Sequence, residues 1–544
     1  MQTLETALPL TTTPTQWNKY NPATGDWLGQ YENPSSEMVQ AQLELAHKAQ
    51  PAWASLSFEV RLDVLKKVEQ LLVDRADALA LTISKEVGKP LAEVYQSDLL
   101  SARIALNHAI KQGKKLFQPR VLNWHRGLLF GRTFIQRPVP KGVITVISPW
   151  NYPVGTPMSG LAGAFLAGNT IIFKPSEKTP ASGSALAQLF TDALTYYNLP
   201  TACFQLVQGT GIVGKQLVES TLVNAVFFTG SEPVGRWIQT DCTRQNKPYT
   251  LELGGSDPLI ILPSAFSMDL DAIVSFAVWG RFSNAGQTCA AVKRLLVPKS
   301  LAPVVQELVV AKVAQLRVGN PLEATTHMGP LIDAHQLATL EAQLADAQAL
   351  GASVMRGAAP ENTVAHQAFF APAVVWNVPP QAKILTEEVF GAILPIVVYE
   401  TVPEAVAHCN ALPFGLTANV FGQAEEARTV GSQLQYAHIG VNDVATCHYP
   451  LAKLPWHGWK ASGPGVRNGE VGLMQFVDVQ IVGETVGFEW LPFVRKAPWL
   501  FGAGTNEVAD TKALLEDMGG ASVMKLPTQG LLNYLWQNRA SQKL

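Results

Sequence analysis

The chain has 544 residues, too many for one ordinary core, so two or three domains are expected. Its 15% of charged residues lies below the usual ~25%, and a net charge of −2 gives no electrostatic support for nucleic-acid binding. The five cysteines (Cys203, Cys242, Cys289, Cys409, Cys447) form no CxxC pair, and the ten histidines show no metal-ligand spacing, which disfavours a disulfide framework or a metal site and fits a reducing compartment.

Residues 1–16, threonine-rich and without periodicity, read as a mobile arm. The start lacks the basic and apolar blocks of a secretion signal, and no apolar run approaches the ~18–20 residues of a membrane span, so a cytoplasmic protein is expected. From residue 36 to about 114, apolar positions recur three and four apart, the spacing of amphipathic helices. Residues 133–139 look like a strand. The chain then alternates. Short β-branched runs at 143–147, 170–173, 204–207, 225–228 and 250–253 are separated by helical patterns, and a second alternating set runs from about 259 to 421. Strands spaced by helices of this length predict βαβ units and parallel sheets: an α/β fold of two doubly wound lobes with a cleft between them.

Cys289 lies in the polar, glycine-containing run Asn284-Ala285-Gly286-Gln287-Thr288-Cys289, which is unsuited to packing a core. A cysteine reacts as the thiolate, and backbone N–H groups in such a loop could favour it. Glu252 ends an apolar strand and is followed after one residue by Gly254-Gly255, where a partly desolvated carboxylate would suit deprotonation of water. Asn151, in Pro149-Trp150-Asn151-Tyr152-Pro153, is expected to follow a strand at 149–150 and could turn its amide into a cleft, or cap the next helix. A nucleophile, a base and an oxyanion donor suffice for acyl chemistry on a carbonyl. The run Phe228 to Gly235 reads as strand, glycine turn and helix start, which suits an anion. Lys174 and Glu177 follow another strand, where a carboxylate can hold ribose hydroxyls and repel a 2′-phosphate.

These motifs occur in one order: Pro149-Trp150-Asn151, Lys174-Pro175-Ser176-Glu177, Phe228-Thr229-Gly230-Ser231, Glu252-Leu253-Gly254-Gly255, Gly286-Gln287-Thr288-Cys289, Glu388-Val389-Phe390-Gly391 and Lys460-Ala461-Ser462-Gly463. In that order they resemble the NAD(P)-dependent aldehyde dehydrogenases over roughly residues 20–484. The resemblance implies that Cys289 attacks the aldehyde carbonyl while the Asn151 amide and the Cys289 N–H hold the oxyanion. It further implies that hydride passes to the nicotinamide, and that Glu252 activates the water that hydrolyses the resulting thioester. Trp150, Lys174, Glu177, Gly230, Ser231, Gly235, Leu253, Glu388 and Phe390 become the expected cofactor contacts: Lys174 and Glu177 on the adenosine ribose, Glu388 on the nicotinamide ribose. Glu177 favours NAD, although some relatives with a glutamate here also use NADP.

The same resemblance divides the chain into a cofactor-binding domain (17–121 and 141–254), a catalytic domain (255–473) and oligomerisation strands (122–140 and 474–484). It leaves an aromatic-rich C-terminal extension at 485–544, and implies a homodimer or homotetramer. There are departures. Ser256 stands where the family usually has lysine, Ala392 replaces a proline, and Pro455-Trp456-His457-Gly458 replaces the commoner Pro-Phe-Gly-Gly. The resemblance places the start of the helix after residue 154 beside the substrate tunnel; residues 154–173 carry no charge, and small residues at Gly155, Thr156 and Ser159 then suggest a roomy, uncharged tunnel for a medium- to long-chain aliphatic or an aromatic aldehyde. The alternatives are a semialdehyde dehydrogenase or a CoA-acylating relative, the latter disfavoured because those enzymes generally lack the glutamate. A non-catalytic scaffold is disfavoured by the intact Cys289, Glu252 and Asn151. The extension, with Trp490, Trp499 and Trp536, is expected to pack on the body or a neighbour, or to touch a membrane surface peripherally.

Overall fold

The computed structural model describes residues 15–122, 132–448 and 451–485. The expectations for the C-terminal extension and for all but the end of the N-terminal arm fall outside these residues. The first helical block forms as Ser36–Ser55, Phe58–Asp74, Ala76–Val87 and Leu100–Leu116. Ser35 and Ser57 cap the first two, each accepting the N–H three residues on, from Met38 and Val60, at 3.3 Å. Such a cap satisfies one of the free donors at a helix start. Val64, Leu65, Val68 and Leu72 form a buried stripe on the second helix and join the core around Phe165 and Phe190.

That core lies against a five-stranded sheet of β1 (Val143–Ile147), β2 (Thr170–Lys174), β3 (Phe204–Leu206), β4 (Ala225–Thr229) and β5 (Tyr249–Glu252). Every pairing is parallel and the order is β3-β2-β1-β4-β5. All residues of β1 and β2 are buried, as expected for strands covered on both faces. The chain winds outward from β1 to β3 and then returns to β4 on the other side of β1. The crevice at the carboxyl ends beside that reversal is where open α/β sheets bind ligands.

The second sheet contains β6 (Asp257–Ile261), β7 (Val292–Pro298), β8 (Ser353–Arg356), β9 (Ala373–Trp376), β10 (Ile393–Tyr399), β11 (Thr417–Phe421) and β12 (His438–Val441). Its order is β8-β9-β10-β7-β6-β11-β12, parallel except for the antiparallel β8–β9 pair. The α/β architecture with two parallel-sheet lobes is therefore present. Strand Val477–Thr485 shares a small sheet with Arg132–Pro140 and Arg120–Leu122. The described residues divide into two units, one within 15–120 and 137–480, the other within 121–122, 132–136 and 481–485. The first contains both large sheets.

Two local readings differ. The first strand stops at Ile147 instead of continuing through Pro149 and Trp150, because proline has no N–H to give a ladder. The strand at Glu252 ends one residue early, since the Leu253 N–H turns to the Ser462 carbonyl at 3.0 Å.

Candidate active site

Three chain segments converge at the carboxyl ends of β1 and β5. After β1 the chain leaves the sheet and carries Asn151, which is buried. It does not cap the following helix, Gly155–Leu166, whose N-cap is Val154. Its amide instead donates to the Gln287 carbonyl at 2.9 Å. The second segment is β5, whose last residue is Glu252.

Helix Leu270–Phe282, capped by the Asp269 carboxylate at the Ala272 N–H, leads into the third. Asn284, Ala285 and Gly286 then take φ of 53°, 54° and 74° in succession. Left-handed backbone is costly for alanine, so this turn is held by its surroundings. At Gly286 a Cβ would lie 2.4 Å from the Gly391 carbonyl oxygen, so no side chain fits. The Asn284 amide donates to the Asn151 carbonyl at 3.1 Å and the Gln287 carbonyl at 3.2 Å. Its N–H donates to the Glu93 carboxylate at 2.8 Å. The expected oxyanion donor and the loop bearing the nucleophile are thereby tied together.

At the end of this loop the Cys289 thiol donates to Glu252 Oε1 at 3.7 Å. Burial, and then the charge of Glu252, raise the Cys289 pKa well above that of an ordinary thiol. Glu252 itself is held on both oxygens. The Trp456 indole N–H donates to Oε1 at 2.9 Å, and Arg467 Nε forms an ion pair with Oε2 at 3.1 Å.

A cavity of about 510 Å³ contains Cys289, Glu252 and Asn151 in its wall, a volume suited to a small-molecule ligand. The structure also brings Trp150, Gly230, Ser231, Leu253, Glu388 and Phe390 to this cavity. Trp150 and Phe390 meet edge to face there, with ring centroids 5.4 Å apart. Lys174, Glu177 and Gly235 are not in its wall. Gly235 packs on Leu253, where a Cβ would fall 2.3 Å from the leucine side chain. Lys174 is buried, its ammonium 3.2 Å from the Pro175 carbonyl and 3.9 Å from the Glu177 carboxylate, and burial lowers its pKa. Ser231 is the N-cap residue of helix Glu232–Arg244, without a side-chain cap bond, and Gly230 precedes it, so this helix begins directly after the carboxyl end of β4.

Several residues here escaped the sequence reading. Lys293 donates to the carbonyls of Gly255 and Cys289, each at 2.7 Å, and to Glu388 Oε1 at 2.5 Å. An ammonium thus reaches the Glu-Leu-Gly-Gly turn although Ser256 replaces the usual lysine. The signal was Lys293-Arg294 inside β7, whose seven residues are all buried. Two adjacent cations in an apolar strand require partners. Glu93 also reaches the cavity wall, so the tunnel is not uncharged. It comes from the short helix Leu91–Glu93, far in sequence from the uncharged residues 154–173. Of the three small residues expected beside the tunnel, Thr156 lines the cavity, whereas Gly155 packs on Asp98 and Ser159 borders a separate small cavity. His457 accepts from the Trp459 indole at 3.3 Å, and Trp456, not His457, enters the cavity wall.

A profile of the aldehyde dehydrogenase family matches residues 11–482. Succinate-semialdehyde dehydrogenase [NADP(+)] of Escherichia coli is 32% identical over 462 residues, covering 85% of this chain and 92% of that one. Benzaldehyde dehydrogenase [NAD(+)] of Pseudomonas putida is 31% identical over 487 residues, covering 88% and 93%. Among solved structures, a mutant of aldehyde dehydrogenase C from Pseudomonas syringae, complexed with NAD+ and octanal, superposes with a TM-score of 0.78 at 28% identity, covering 86% and 93%. Family profile, relatives and fold agree over the region that builds the site, and the chain belongs to the aldehyde dehydrogenase family of oxidoreductases.

Proposed function

We propose that the protein oxidises an uncharged aldehyde, aliphatic of medium to long chain or aromatic, to the carboxylic acid through a thioester on Cys289. The observation that carries this reading is the contact between Cys289 Sγ and Glu252 Oε1 in the cavity that also holds Asn151.

The raised pKa keeps the resting thiol protonated. Attack on a carbonyl carbon therefore transfers the thiol proton to Glu252 as the carbon–sulfur bond forms. One N–H of the Asn151 amide is occupied by the Gln287 carbonyl. The other is left for the carbonyl oxygen of the substrate, alongside the Cys289 N–H. A bound nicotinamide dinucleotide supplies the acceptor for the aldehyde hydride. Before hydrolysis Glu252 gives up the thiol proton to solvent; it then takes a proton from water as the water oxygen bonds to the acyl carbon, and returns that proton to the Cys289 sulfur as the carbon–sulfur bond breaks, releasing acid and thiol. A base this close to the sulfur favours water over CoA as the acyl acceptor.

The chain's donors suit such a dinucleotide. Buried Lys174 has one backbone acceptor and one distant carboxylate for its three N–H bonds, which leaves capacity for ribose hydroxyls. Glu177, beside it, would repel a 2′-phosphate and favours NAD, with NADP use open to the same test. Glu388, fixed by Lys293 and by the Gly255 N–H at 3.2 Å, would hold the second ribose, with Phe390 nearby. Trp150, Gly230, Ser231 and Leu253 would complete that wall.

The substrate class rests on charge. Among the described residues lining the cavity there is no lysine, arginine or histidine, and Glu93 adds a carboxyl to the wall. A semialdehyde carboxylate would lack a cation and face Glu93. Trp150, Tyr152, Trp279 and Trp456 offer apolar surface instead. Val479, Ile481 and Val482 are exposed on one strand, which favours a homo-oligomer assembled through it. The test is a panel of octanal, benzaldehyde and succinate semialdehyde with NAD and with NADP, followed by reduced-nicotinamide absorbance. Octanal or benzaldehyde with NAD should give the highest kcat/KM; a preference of over tenfold for succinate semialdehyde rejects the substrate assignment.

A further inference from the structure

The two groups that hold Glu252 come from one piece of backbone. Trp456 and Arg467 form an isolated antiparallel bridge in which each N–H donates to the other's carbonyl, at 2.7 and 2.6 Å. From this bridge the Trp456 indole reaches one oxygen of Glu252 and the Arg467 guanidinium reaches the other. The Arg467 and Glu252 side chains are 2% and 3% exposed.

The rest of the guanidinium is also fixed. Nη2 donates to the Phe228 carbonyl at 3.0 Å, Nη1 to the Thr156 carbonyl at 3.5 Å, and the group lies 4.0 Å over the Phe227 ring. Gly160 makes room for that ring, since a Cβ there would come within 2.6 Å of it. On the other arm, the Trp456 ring stacks on His438 with centroids 4.1 Å apart. Neither donor is free to follow Glu252 if it moves.

We propose that Trp456 and Arg467 are positioning residues that clip the Glu252 carboxylate in one orientation beside Cys289, and that the clip chiefly serves thioester hydrolysis. The proposal rests on the reading of Glu252 as the base. Hydrolysis demands more of the clip than attack does. In attack the proton donor is the sulfur already in contact with Glu252, whereas in hydrolysis the carboxylate must align a mobile water with the acyl carbon. Misplacement of a reacting group by about 1 Å can cost roughly 100-fold in such a step. The water proton passes to Glu252, its oxygen bonds to the acyl carbon, and the Cys289 sulfur leaves and takes that proton back from Glu252.

An activated ester, p-nitrophenyl acetate, reads both steps without a dinucleotide: nitrophenolate is released as Cys289 is acylated, and further release requires hydrolysis. Arg467→Met and Trp456→Phe, the latter keeping the aromatic ring, should each give a full burst per subunit followed by a steady state slowed roughly 10- to 100-fold, the loss expected for a hydrogen bond to a charged group at Trp456 and for a buried ion pair at Arg467. Arg467→Lys should recover part of the rate. If Arg467→Met does not fold, Trp456→Phe decides alone. Burst and steady state falling together, or both unchanged, would overturn the clip. A Glu252→Gln control separates the two levels: normal hydrolysis in that variant rejects the base itself, whereas slow hydrolysis there with normal hydrolysis in the clip variants rejects only the clip.

Discussion

Glu252 Oε1 accepts from both the Cys289 thiol, at 3.7 Å, and the Trp456 indole, at 2.9 Å. One oxygen therefore faces the nucleophile while being held by a group 204 residues away in sequence. This arrangement makes the nucleophile and its base electrostatically coupled, with consequences that can be measured in opposite directions.

The coupling predicts that Glu252→Gln raises the equilibrium thiolate fraction of Cys289 while removing both the acceptor of the thiol proton in the attack on an aldehyde and the base for hydrolysis, so that turnover falls. Burial raises the thiol pKa first and the Glu252 charge second. Removing the charge lowers the thiol pKa and increases the thiolate fraction at neutral pH. Alkylation by iodoacetamide should therefore quicken in the variant. In the unmodified protein its rate should still be rising at pH 9.0, the ordinary value of a thiol. Slower alkylation in Glu252→Gln, or a plateau below pH 9.0 in the parent, would contradict the coupling.

Glu93 should govern discrimination against acidic aldehydes. Burial raises its pKa to about 7, against the Asn284 N–H and the Lys89 charge, which pull it down. Below that value the carboxyl is neutral, and above it charged. The kcat/KM ratio of succinate semialdehyde to benzaldehyde should fall as pH rises through about 7. Glu93→Gln retains an acceptor for the Asn284 N–H, and should raise that ratio by about 3- to 10-fold at neutral pH and flatten its pH dependence. An unchanged ratio would remove Glu93 from specificity.

Lys293 should act through the cofactor side. Its ammonium joins Glu388 to the Gly255 and Cys289 carbonyls. Lys293→Met frees the Glu388 carboxylate, and should raise the dinucleotide KM by roughly 10-fold or more. The aldehyde KM should change less. Equal effects on both would indicate a general collapse of the loop.

A stability consequence sits at Gly286. With φ of 74° and no room beside the Gly391 carbonyl, Gly286→Ala should displace the loop that carries Cys289. Activity should fall by over about 10-fold while thermal unfolding drops by only a few degrees, as for a local strain of ~1–3 kcal/mol. Full activity would show that the loop tolerates another path.

What could be read in the sequence were the features with local causes. Buried β-branched runs located the strands of the first sheet and only the alternating span, about 259–421, of the second, whose last strand, His438–Val441, lies beyond it; glycines or polar turns marked Asn151, Glu252 and Cys289. Tertiary partners carried no such mark. Glu93 meets Asn284 across 191 residues, and Trp456 and Arg467 reach Glu252 across more than 200. Nothing adjacent to Arg467 distinguishes it from a surface arginine. Lys293 differs in carrying a local mark, since it and Arg294 are adjacent cations in an otherwise apolar buried strand. The expectation of an uncharged tunnel fails because residues 154–173 contribute only part of its wall, and Glu93 enters from another segment.

The central claim is that Cys289 carries the acyl group and Glu252 directs it to water. Glu252→Gln should be mixed with the best aldehyde of the panel and dinucleotide, quenched in acid, and examined by intact-protein and peptide mass spectrometry. The account predicts an adduct of one acyl group, located on Cys289, forming with one reduced nicotinamide per subunit and decaying slowly. Steady production of acid with no adduct on Cys289 would contradict it.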